Sequence, residues 1–153
     1  GSLRIGDKVV LGKDNTVNCY LDVEIGASTI IADWVYVTDF DHVTADVHVP
    51  IKDQGIVKTP VRIGPDCWIG VKASVLRGTR IGRGSVLGAH AVARGKIPEF
   101  SIAVGTPARV VRNRVEVYAA AREQREAVAD LARKQASAVA ERVARSGDPG
   151  TGL

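Results

Sequence analysis

A histidine flanked by carboxylates is the feature of this sequence best suited to chemistry. His42 ends the segment Thr38-Asp39-Phe40-Asp41-His42, so two carboxyl groups lie within three residues of its imidazole. A neutral imidazole titrates near physiological pH and can remove the proton of a hydroxyl group as that hydroxyl attacks an electrophile. We therefore regard His42 as a candidate general base. Asp39 or Asp41 could orient its ring, or each could be only a polar loop residue, and strand geometry does not choose between them.

The histidines also offer a second chemistry. His42, His48 and His90 could in principle supply the three imidazoles of a catalytic zinc site. His42 and His48 are six residues apart, whereas His90 lies far downstream. Cys19 and Cys67 match neither a zinc-ligand spacing nor a disulfide framework. We expect them to be reduced packing residues, and we expect no metal.

The elements that position these residues follow from a six-residue repeat. An apolar residue followed by a small or polar one recurs in twelve steps, which begin at Ile5-Gly6 and end at Ala93-Arg94 with a break of about twenty residues after Val37-Thr38. In the last block the residue two positions earlier is always small: Val61, Cys67, Ala73, Thr79, Ser85 and Ala91. Residues two apart share a face of a strand, so each unit points one large and one small side chain inward. Three units close a triangular coil, and successive coils pair as parallel strands.

Length and composition fit one β domain of this kind. The chain has 153 residues, of which 45% are hydrophobic and only 5% aromatic, so small and β-branched side chains must fill the core. The repeats occupy residues 3–112 and carry an insertion at about 43–60 that must project from the coils. Residues 113–145 predict one amphipathic helix that packs on the coils or on a neighbouring subunit. We expect residues 146–153 to be disordered, and the start at Gly1-Ser2 suggests a piece of a longer protein.

Composition also limits the partners. No apolar run is long enough to span a membrane and no signal peptide is evident, so we expect a soluble, cytoplasmic protein without a membrane partner. The formal net charge of +4 favours an anionic ligand. Because no nucleic-acid motif and no interleaved aromatic residues accompany that charge, we expect no nucleic-acid partner.

Three segments resemble a known family. Ile63-Gly64-Pro65-Asp66-Cys67-Trp68-Ile69-Gly70, Ile97-Pro98 and Val104-Gly105-Thr106-Pro107-Ala108-Arg109-Val110-Val111-Arg112 resemble the hexapeptide-repeat acyltransferases, in particular the galactoside, maltose and polysaccharide O-acetyltransferase branch. The similarity covers about residues 5 to 114, and the third segment is its most specific part. It implies a mainly β fold, a left-handed parallel β-helix with an extended loop insertion and a C-terminal α-helix. The repeat alone does not give the hand, because parallel crossovers are usually right-handed.

The resemblance also implies an activity and an assembly. Members of this branch are homotrimers with an active site between each pair of subunits. They transfer an acetyl or other acyl group directly from acyl-CoA to an acceptor, usually a hydroxyl, without a covalent enzyme intermediate. The implied acceptor is a sugar, a polysaccharide or another small molecule.

Catalytic and acceptor-binding positions follow from the same resemblance. His42 occupies the position of the family's base. The residue after Trp-Ile-Gly supplies the donor for the negative oxygen of the tetrahedral intermediate, and some relatives have a serine there. Here it is Val71, so only a backbone N–H could serve. Asn18 lies where relatives place an asparagine that contacts the acceptor; the alternative is an ordinary turn residue.

The resemblance places CoA contacts along the later coils and near the C-terminal end. These positions are Trp68, Gly70, Val71, Ala89, Arg94, Lys96, Arg109 and Arg112. Backbone amides would contact the cofactor, and forked arginine donors suit its phosphates. Relatives have a Thr-Lys pair before the Ile-Pro unit, whereas this chain has Arg94-Gly95, so Arg94 or Lys96 would take over that phosphate contact. Trp68 either lines the pantetheine groove or packs at the subunit contact.

The insertion has a predicted role, and the fold is compatible with two other functions. We expect the insertion to cover the neighbouring subunit's site and to contact the acceptor through Lys52, Asp53 and Gln54, the alternative being a structural arm. The same fold carries γ-class zinc carbonic anhydrases, and it could also form a non-catalytic trimerising scaffold. The C-terminal Val-Gly-x-Pro-Ala-Arg segment favours acyl transfer over the anhydrase. The presence of His42, the insertion, Arg109 and Arg112 argues against a scaffold.

Overall fold

The computed structural model describes residues 1–146, so residues 147–153 of the predicted disordered tail lie outside the described part. The chain divides into two compact units, Gly1–Arg114 and a second unit that begins at Val115. Strands make up the first unit and one helix makes up the described part of the second.

Short strands follow one another at six-residue steps, as the repeat predicts. In chain order they are β1 (Ser2–Ile5), β2 (Val10–Leu11), β3 (Thr16–Asn18), β4 (Asp22–Ile25), β5 (Ile30–Ile31), β6 (Tyr36–Thr38), β7 (Phe40–His42), β8 (Ile56–Lys58), β9 (Val61–Ile63), β10 (Trp68–Ile69), β11 (Ser74–Val75), β12 (Arg80–Ile81), β13 (Val86–Leu87), β14 (Val92–Ala93), β15 (Lys96–Ile97), β16 (Ser101–Val104) and β17 (Arg109–Asn113).

Three sheets form the walls of the coil. Sheet A has the order β1-β4-β9-β12-β15, sheet B has the order β2-β5-β10-β13-β16-β17, and sheet C has the order β3-β6-β11-β14. Every pair within them is parallel except the last pair of sheet B, β16 and β17, which is antiparallel. Each turn of the chain thus adds one strand to each sheet, and the predicted parallel β-helix is confirmed.

Columns of equivalent side chains fill the interior. The parallel register aligns Ile25, Ile63, Ile81 and Ile97 in sheet A, and Ile31, Ile69 and Leu87 in sheet B; all of these residues are buried. The six small residues predicted to share the interior are buried too. The two hydroxyls among them are satisfied, because Thr79 Oγ1 donates to the Ala93 carbonyl at 3.0 Å and Ser85 Oγ to the Pro98 carbonyl at 2.8 Å.

Two corners of the coil matter for function. The B/C corner joins sheets B and C and comprises residues 12–15, 32–35, 70–73 and 88–91. The C/A corner joins sheets C and A and comprises residues 19–21, 39, 59–60, 76–79 and 94–95. At the B/C corner one residue of each turn has a positive φ, including Trp34 at 62° and Lys72 at 57°. From the second turn onward the N–H of this residue donates to a carbonyl of the preceding coil; that of Lys72 donates to the Asp33 carbonyl at 3.0 Å.

The insertion is a hairpin that leaves the coil at the C/A corner. Strands β7 and β8 pair antiparallel with His42 opposite Ile56, and a 3-10 helix, Ile51–Asp53, lies in the connecting loop. The chain rejoins the coil where the Thr59 N–H donates to the Asp39 carbonyl at 2.9 Å. The hairpin begins at residue 40, three residues before the predicted start of the insertion.

Helix α1, Arg114–Ser146, begins at the last residue of the first unit, and the rest of it is the described part of the second unit. This agrees with the predicted C-terminal helix. Val128, Leu131, Val139 and Val143, the apolar residues at helical spacing, are all exposed. Within residues 1–146 no helix is both long enough and apolar enough to cross a membrane.

Candidate active site

His42 is presented on the hairpin, outside the coil. It is the last residue of β7 and is exposed. Phe40, two residues earlier on the same face of the strand, contacts it edge-on with the ring centroids 6.0 Å apart. An exposed imidazole at the end of a paired strand can accept a proton from a bound molecule.

An aromatic row continues from His42 to the preceding coil. The Tyr20 ring lies 4.5 Å from the Phe40 ring, and Lys58 Nζ lies 5.8 Å from the Tyr20 centroid. Lys58 is also the cross-strand partner of Phe40. Tyr20 is 54% exposed, so part of its surface is free to contact a ligand beside His42. No motif in the sequence marks Tyr20 or Lys58 as part of this site; the local sequence indicates only that Phe40 and His42, two residues apart, share a face of a strand.

Asn18 lies at the same corner as the hairpin. Its Nδ2 donates to the Tyr36 hydroxyl at 3.1 Å, and its carbonyl accepts from the Asp39 N–H at 3.3 Å. The structure therefore places Asn18, the predicted acceptor contact, next to the residue from which the His42 hairpin departs.

Asp39 is buried and supports the backbone of the C/A corner. Its carboxylate accepts from the N–H groups of Tyr20 at 2.8 Å and of Leu21 and Asp22 at 2.7 Å each. Burial alone would raise the pKa of Asp39, but these three donors together outweigh it and hold the pKa below its usual value. The carboxylate contacts this turn and makes no hydrogen bond to His42, so the structure does not support an orienting role for it.

The turn held by Asp39 gives a prediction about acid stability. We expect Asp39→Asn to lower the free energy of unfolding at pH 7 by about 2–3 kcal/mol, because an amide cannot accept three charge-assisted hydrogen bonds. Since the folded pKa of Asp39 is depressed, its stabilisation is present above the unfolded pKa near 3.9 and is lost as pH falls through the folded pKa. The difference from wild type should therefore shrink at low pH in urea denaturation. Asp7→Asn, at an exposed corner carboxylate, is the control, and a loss that is the same at pH 7 and pH 2 would contradict the prediction.

Asp41 faces two arginines of the coil. Its Oδ2 accepts from Arg77 Nε at 2.9 Å and lies 3.5 Å from Arg94 Nη2. Arg77 Nη1 also donates to Thr59 Oγ1 at 2.9 Å. Among residues 1–146 Asp41 makes no hydrogen bond to His42. Arg94, predicted as a phosphate contact, thus lies beside the hairpin, with its side chain 61% exposed.

The loop at the tip of the hairpin uses some of the predicted acceptor contacts for its own structure. Gln54 Nε2 donates to the carbonyls of Asp46 and Val49, both at 2.8 Å, and Gln54 Oε1 accepts from the Asp46 N–H. Both amide hydrogens are therefore occupied, and this loop conformation does not support a contact with an acceptor. Lys52 and Asp53 form an exposed ion pair with each other at 2.7 Å.

The B/C corner carries a row of free backbone amides. In residues 1–146 the N–H groups of Val71 and Ala89 donate to no other group. The two residues occupy equivalent positions in successive coils, so their spacing is that of paired strands, about 4.8 Å. A side chain at Gly70 would place its Cβ 2.6 Å from the Ala89 nitrogen, so only glycine lets the coils stack here. Trp68, two residues before Gly70, is 53% exposed on the outer face of sheet B.

The remaining basic positions lie on the last coil. Arg109 and Arg112 are on β17, opposite Val104 and Ile102 of β16. The intervening turn is tied to the B/C corner, because Thr106 Oγ1 donates to the His90 carbonyl at 3.3 Å. Lys96 begins β15 in sheet A, on the far side of the C/A corner. The predicted phosphate contacts therefore fall into two groups, one near each corner.

One chain does not bring the base and the free amides together. His42 belongs to a hairpin that leaves the coil at the C/A corner, and Val71 belongs to the B/C corner, so sheet C lies between the two points of attachment. Six residues of extended chain, from Val71 to Arg77, cross that sheet, which corresponds to roughly 15–20 Å. Within the described part of this single chain, no three His, Cys, Asp or Glu residues are placed to hold a metal ion.

Comparison with known proteins defines the class of this molecule. Residues 60–95 match the family described as bacterial transferase hexapeptide (six repeats). The solved structure of a galactoside acetyltransferase in complex with coenzyme A superposes with a TM-score of 0.61 and 26% identity, over 72% of this chain and 59% of that chain. The coil, its hexapeptide sequence and this likeness define a hexapeptide-repeat β-helix.

Two curated relatives extend the comparison. The Mycobacterium tuberculosis H37Rv protein Rv3034c, named as a probable acetyltransferase, is 64% identical over 90% of this chain and 47% of its own length. The Escherichia coli K12 protein WbbJ, whose name describes a lipopolysaccharide biosynthesis O-acetyltransferase, is 35% identical over 70% of this chain and 62% of its own length. The chain thus resembles the hexapeptide-repeat transferase family, as predicted, in six matched repeats and in its similarity to these relatives. It spans about half of the first relative and less than two thirds of the second.

Proposed function

We propose that this protein is an acetyl-CoA-dependent O-acetyltransferase that acts on a hydroxyl group of a sugar or polysaccharide. The observation that carries the proposal is the division of the site between two corners. An exposed imidazole lies at the C/A corner, and a row of free amide donors lies at the B/C corner. A base and an oxyanion donor are the two groups that acyl transfer to a hydroxyl needs.

We propose that a homotrimer completes the site. In a cyclic trimer of triangular prisms with sheet C facing the three-fold axis, the C/A corner of one subunit meets the B/C corner of the next. Exposed apolar side chains near the B/C corner support such a contact, because Ile30, Trp34 and Trp68 are each about half exposed in the single chain. Each subunit would then contribute a base to one site and amides to another.

The proposed reaction is a direct transfer. His42 Nε2 or Nδ1 takes the proton of the acceptor hydroxyl while its oxygen attacks the thioester carbonyl carbon. The carbonyl oxygen becomes an oxyanion and accepts a hydrogen bond from the Val71 N–H of the adjacent subunit. As the carbonyl reforms, the carbon–sulfur bond breaks and the departing thiolate receives the proton from the His42 imidazolium. The products are the acetyl ester and coenzyme A, and His42 returns to its neutral form.

The donor would lie along the B/C corner. The Ala89 N–H, which lies one coil beyond the proposed oxyanion donor Val71, can donate to an amide carbonyl of the pantetheine arm, and Trp68 offers an apolar surface beside it. The phosphates can be bound by Arg109 and Arg112, on the strand that follows the last coil. Lys96, beside the C/A corner of the adjacent subunit in the proposed trimer, can bind them from the other side. Acetyl-CoA is available in the cytoplasm, which is where we place the reaction.

The acceptor would lie on the hairpin side. The partly exposed Tyr20 ring can stack against a sugar ring, and Asn18 and Lys58 offer polar groups at the same corner. The names of a galactoside acetyltransferase and of a lipopolysaccharide O-acetyltransferase among the similar proteins support a carbohydrate.

Thiol release from acetyl-CoA tests the proposal. We expect the wild-type protein, incubated with a panel of sugars and oligosaccharides, to release coenzyme A only when a suitable acceptor is present, and we expect mass spectrometry to find the acetylated acceptor. Metal analysis of the same sample separates this function from a zinc anhydrase. Protein that neither binds nor cleaves acetyl-CoA would overturn the proposal; stoichiometric zinc would then point to the anhydrase, and its absence to a scaffold.

A further inference from the structure

We infer that Arg77 is a positioning residue, which fixes the hairpin that carries His42. The inference rests on the proposed function for its catalytic consequence. Its structural part, that one guanidinium group holds both arms of the hairpin, rests on contacts alone.

Arg77 bridges the two places where the hairpin meets the coil. Its Nε donates to Asp41 Oδ2 on the outgoing strand β7, and its Nη1 donates to Thr59 Oγ1 directly after the returning strand β8, each at 2.9 Å. Arg77 belongs to the next coil, at the same C/A corner. Its side chain is only 22% exposed, so the two contacts are partly shielded from water.

Backbone hydrogen bonds beside Arg77 also attach the hairpin to the coil. The Thr59 N–H donates to the Asp39 carbonyl at 2.9 Å, and the Gly78 N–H donates to the Thr59 carbonyl at 3.3 Å. These bonds close the base of the hairpin, and the pairing of β7 with β8 holds its two strands together. The Arg77–Asp41 contact adds a side-chain attachment between β7 and the coil, one residue before His42.

Fixing Asp41 fixes the direction of His42. Adjacent residues of a strand point to opposite faces. When Arg77 holds the Asp41 carboxylate, the His42 side chain therefore lies on the opposite face of β7, the face that carries Phe40. A general base must lie within hydrogen-bond reach of its proton, and a displacement of about 1 Å can cost roughly 100-fold in rate. Arg94 lies farther from Asp41, at 3.5 Å, and is much more exposed, so Arg77 makes the main contact.

Lysine cannot replace this arginine. A guanidinium group presents separate donors in a rigid fork, whereas an ammonium group is a single charged centre on a flexible stem. Arg77→Lys should therefore retain the charge but lose the simultaneous contact with Asp41 and Thr59.

The test compares Arg77→Ala, Arg77→Lys and Thr59→Val with wild type, with Arg80→Ala as the matched control. Arg80 lies three residues further on the same coil, is exposed and makes no ion pair within residues 1–146. For Arg77→Ala we expect kcat to fall about 10- to 100-fold while KM for acetyl-CoA changes less than about twofold. Arg77→Lys should recover only part of that loss, and Thr59→Val, which removes one contact, should fall between wild type and Arg77→Ala.

Hydrogen–deuterium exchange measures the structural part without any assay of activity. We expect residues 40–58 to exchange faster in Arg77→Ala, while residues 73–76 and 91–93 of the coil keep their wild-type protection. Unchanged hairpin exchange, an unchanged kcat, or equal changes in Arg80→Ala would each overturn the inference. If wild type transfers no acetyl group, the proposed function fails, and the exchange of the hairpin alone then decides whether Arg77 holds it.

Discussion

His42→Ala should lower kcat for acetyl transfer by about 100- to 10,000-fold, the contribution of a positioned general base. Without the imidazole, the acceptor hydroxyl keeps its proton during attack and the thiolate leaves without a proton donor. The free amides of Val71 and Ala89 lie at the other corner, so binding of acetyl-CoA should be nearly unchanged. Acceptor-dependent thiol release measures the first quantity, and calorimetric titration with coenzyme A measures the second.

His48→Ala is the matched control for this experiment. His48 lies in the loop of the same hairpin and is exposed. Its backbone N–H donates to Asp46 Oδ1 at 2.9 Å, and within residues 1–146 its imidazole makes no hydrogen bond. We expect its kcat to stay within about twofold of wild type. A His42→Ala protein that retains most of its activity, or a His48→Ala protein that loses as much as His42→Ala, would exclude His42 as the base.

Val71→Pro should lower kcat by about 100- to 1,000-fold with little effect on folding. Proline has no N–H, so the substitution removes the proposed oxyanion donor, and loss of one such donor has this magnitude. In the described chain the Val71 N–H makes no hydrogen bond, so none is lost on substitution. Steady-state kinetics and thermal melting together measure the two effects.

The chain itself shows that proline fits this turn. Gly64-Pro65-Asp66 is the turn one corner earlier and matches Gly70-Val71-Lys72 in detail: Asp66 and Lys72 both have φ of 57° and both donate to the preceding coil. Proline thus already occupies the position equivalent to Val71. Val71→Ala, which keeps the N–H, is the control and should remain active. Equal activity of the proline and alanine variants would show that the amide does not stabilise the oxyanion.

The same two variants test whether sites are shared between subunits. When His42→Ala and Val71→Pro are unfolded together and refolded as a mixture, about one site in four should combine an intact base from one subunit with an intact amide from the next. Activity near a quarter of wild type, from two inactive parents, is the expected result. A mixture no more active than its parents would contradict a site built from two subunits.

The six-residue periodicity predicted the coil well because each coil is stabilised by the same contact, the stacking of its interior side chains on equivalent residues of the next coil. The apolar residue of each unit, such as Ile63 or Ile69, is buried in its column, and the small residue two positions earlier lies beside it. The sequence predicted a projecting insertion but not the pairing of strands within it, since Phe40-Asp41-His42 and Ile56-Val57-Lys58 are too short to show a strand pattern. Strands of three residues take their stability from tertiary contacts rather than from propensity.

Side-chain partnerships in the site were the least predictable. The sequence left Asp39 and Asp41 equivalent, but the structure buries one under the Tyr20–Asp22 turn and pairs the other with Arg77, which lies 36 residues away. Arg77 occupies a repeat position at which nothing in the sequence marks it as special. Only the stacking of coils shows that it lies directly beside the insertion.

The free amides of the B/C corner are main-chain N–H groups at equivalent positions of successive coils, so they do not depend on which side chains are present. Val71 and Ala89 offer main-chain N–H groups, so most substitutions at these two positions would leave the acetyl-CoA contacts intact. At Tyr20, Lys58 and His42 the side chain itself makes the contact, so a substitution there removes it. Under the proposed function, mutation can therefore alter the acceptor without endangering the use of acetyl-CoA. The acetyl-CoA site therefore depends on the main chain of the coil, whereas the acceptor site depends on side chains in and beside a hairpin of about twenty residues. A fold of this kind allows new acceptor specificities to evolve while the use of acetyl-CoA is retained.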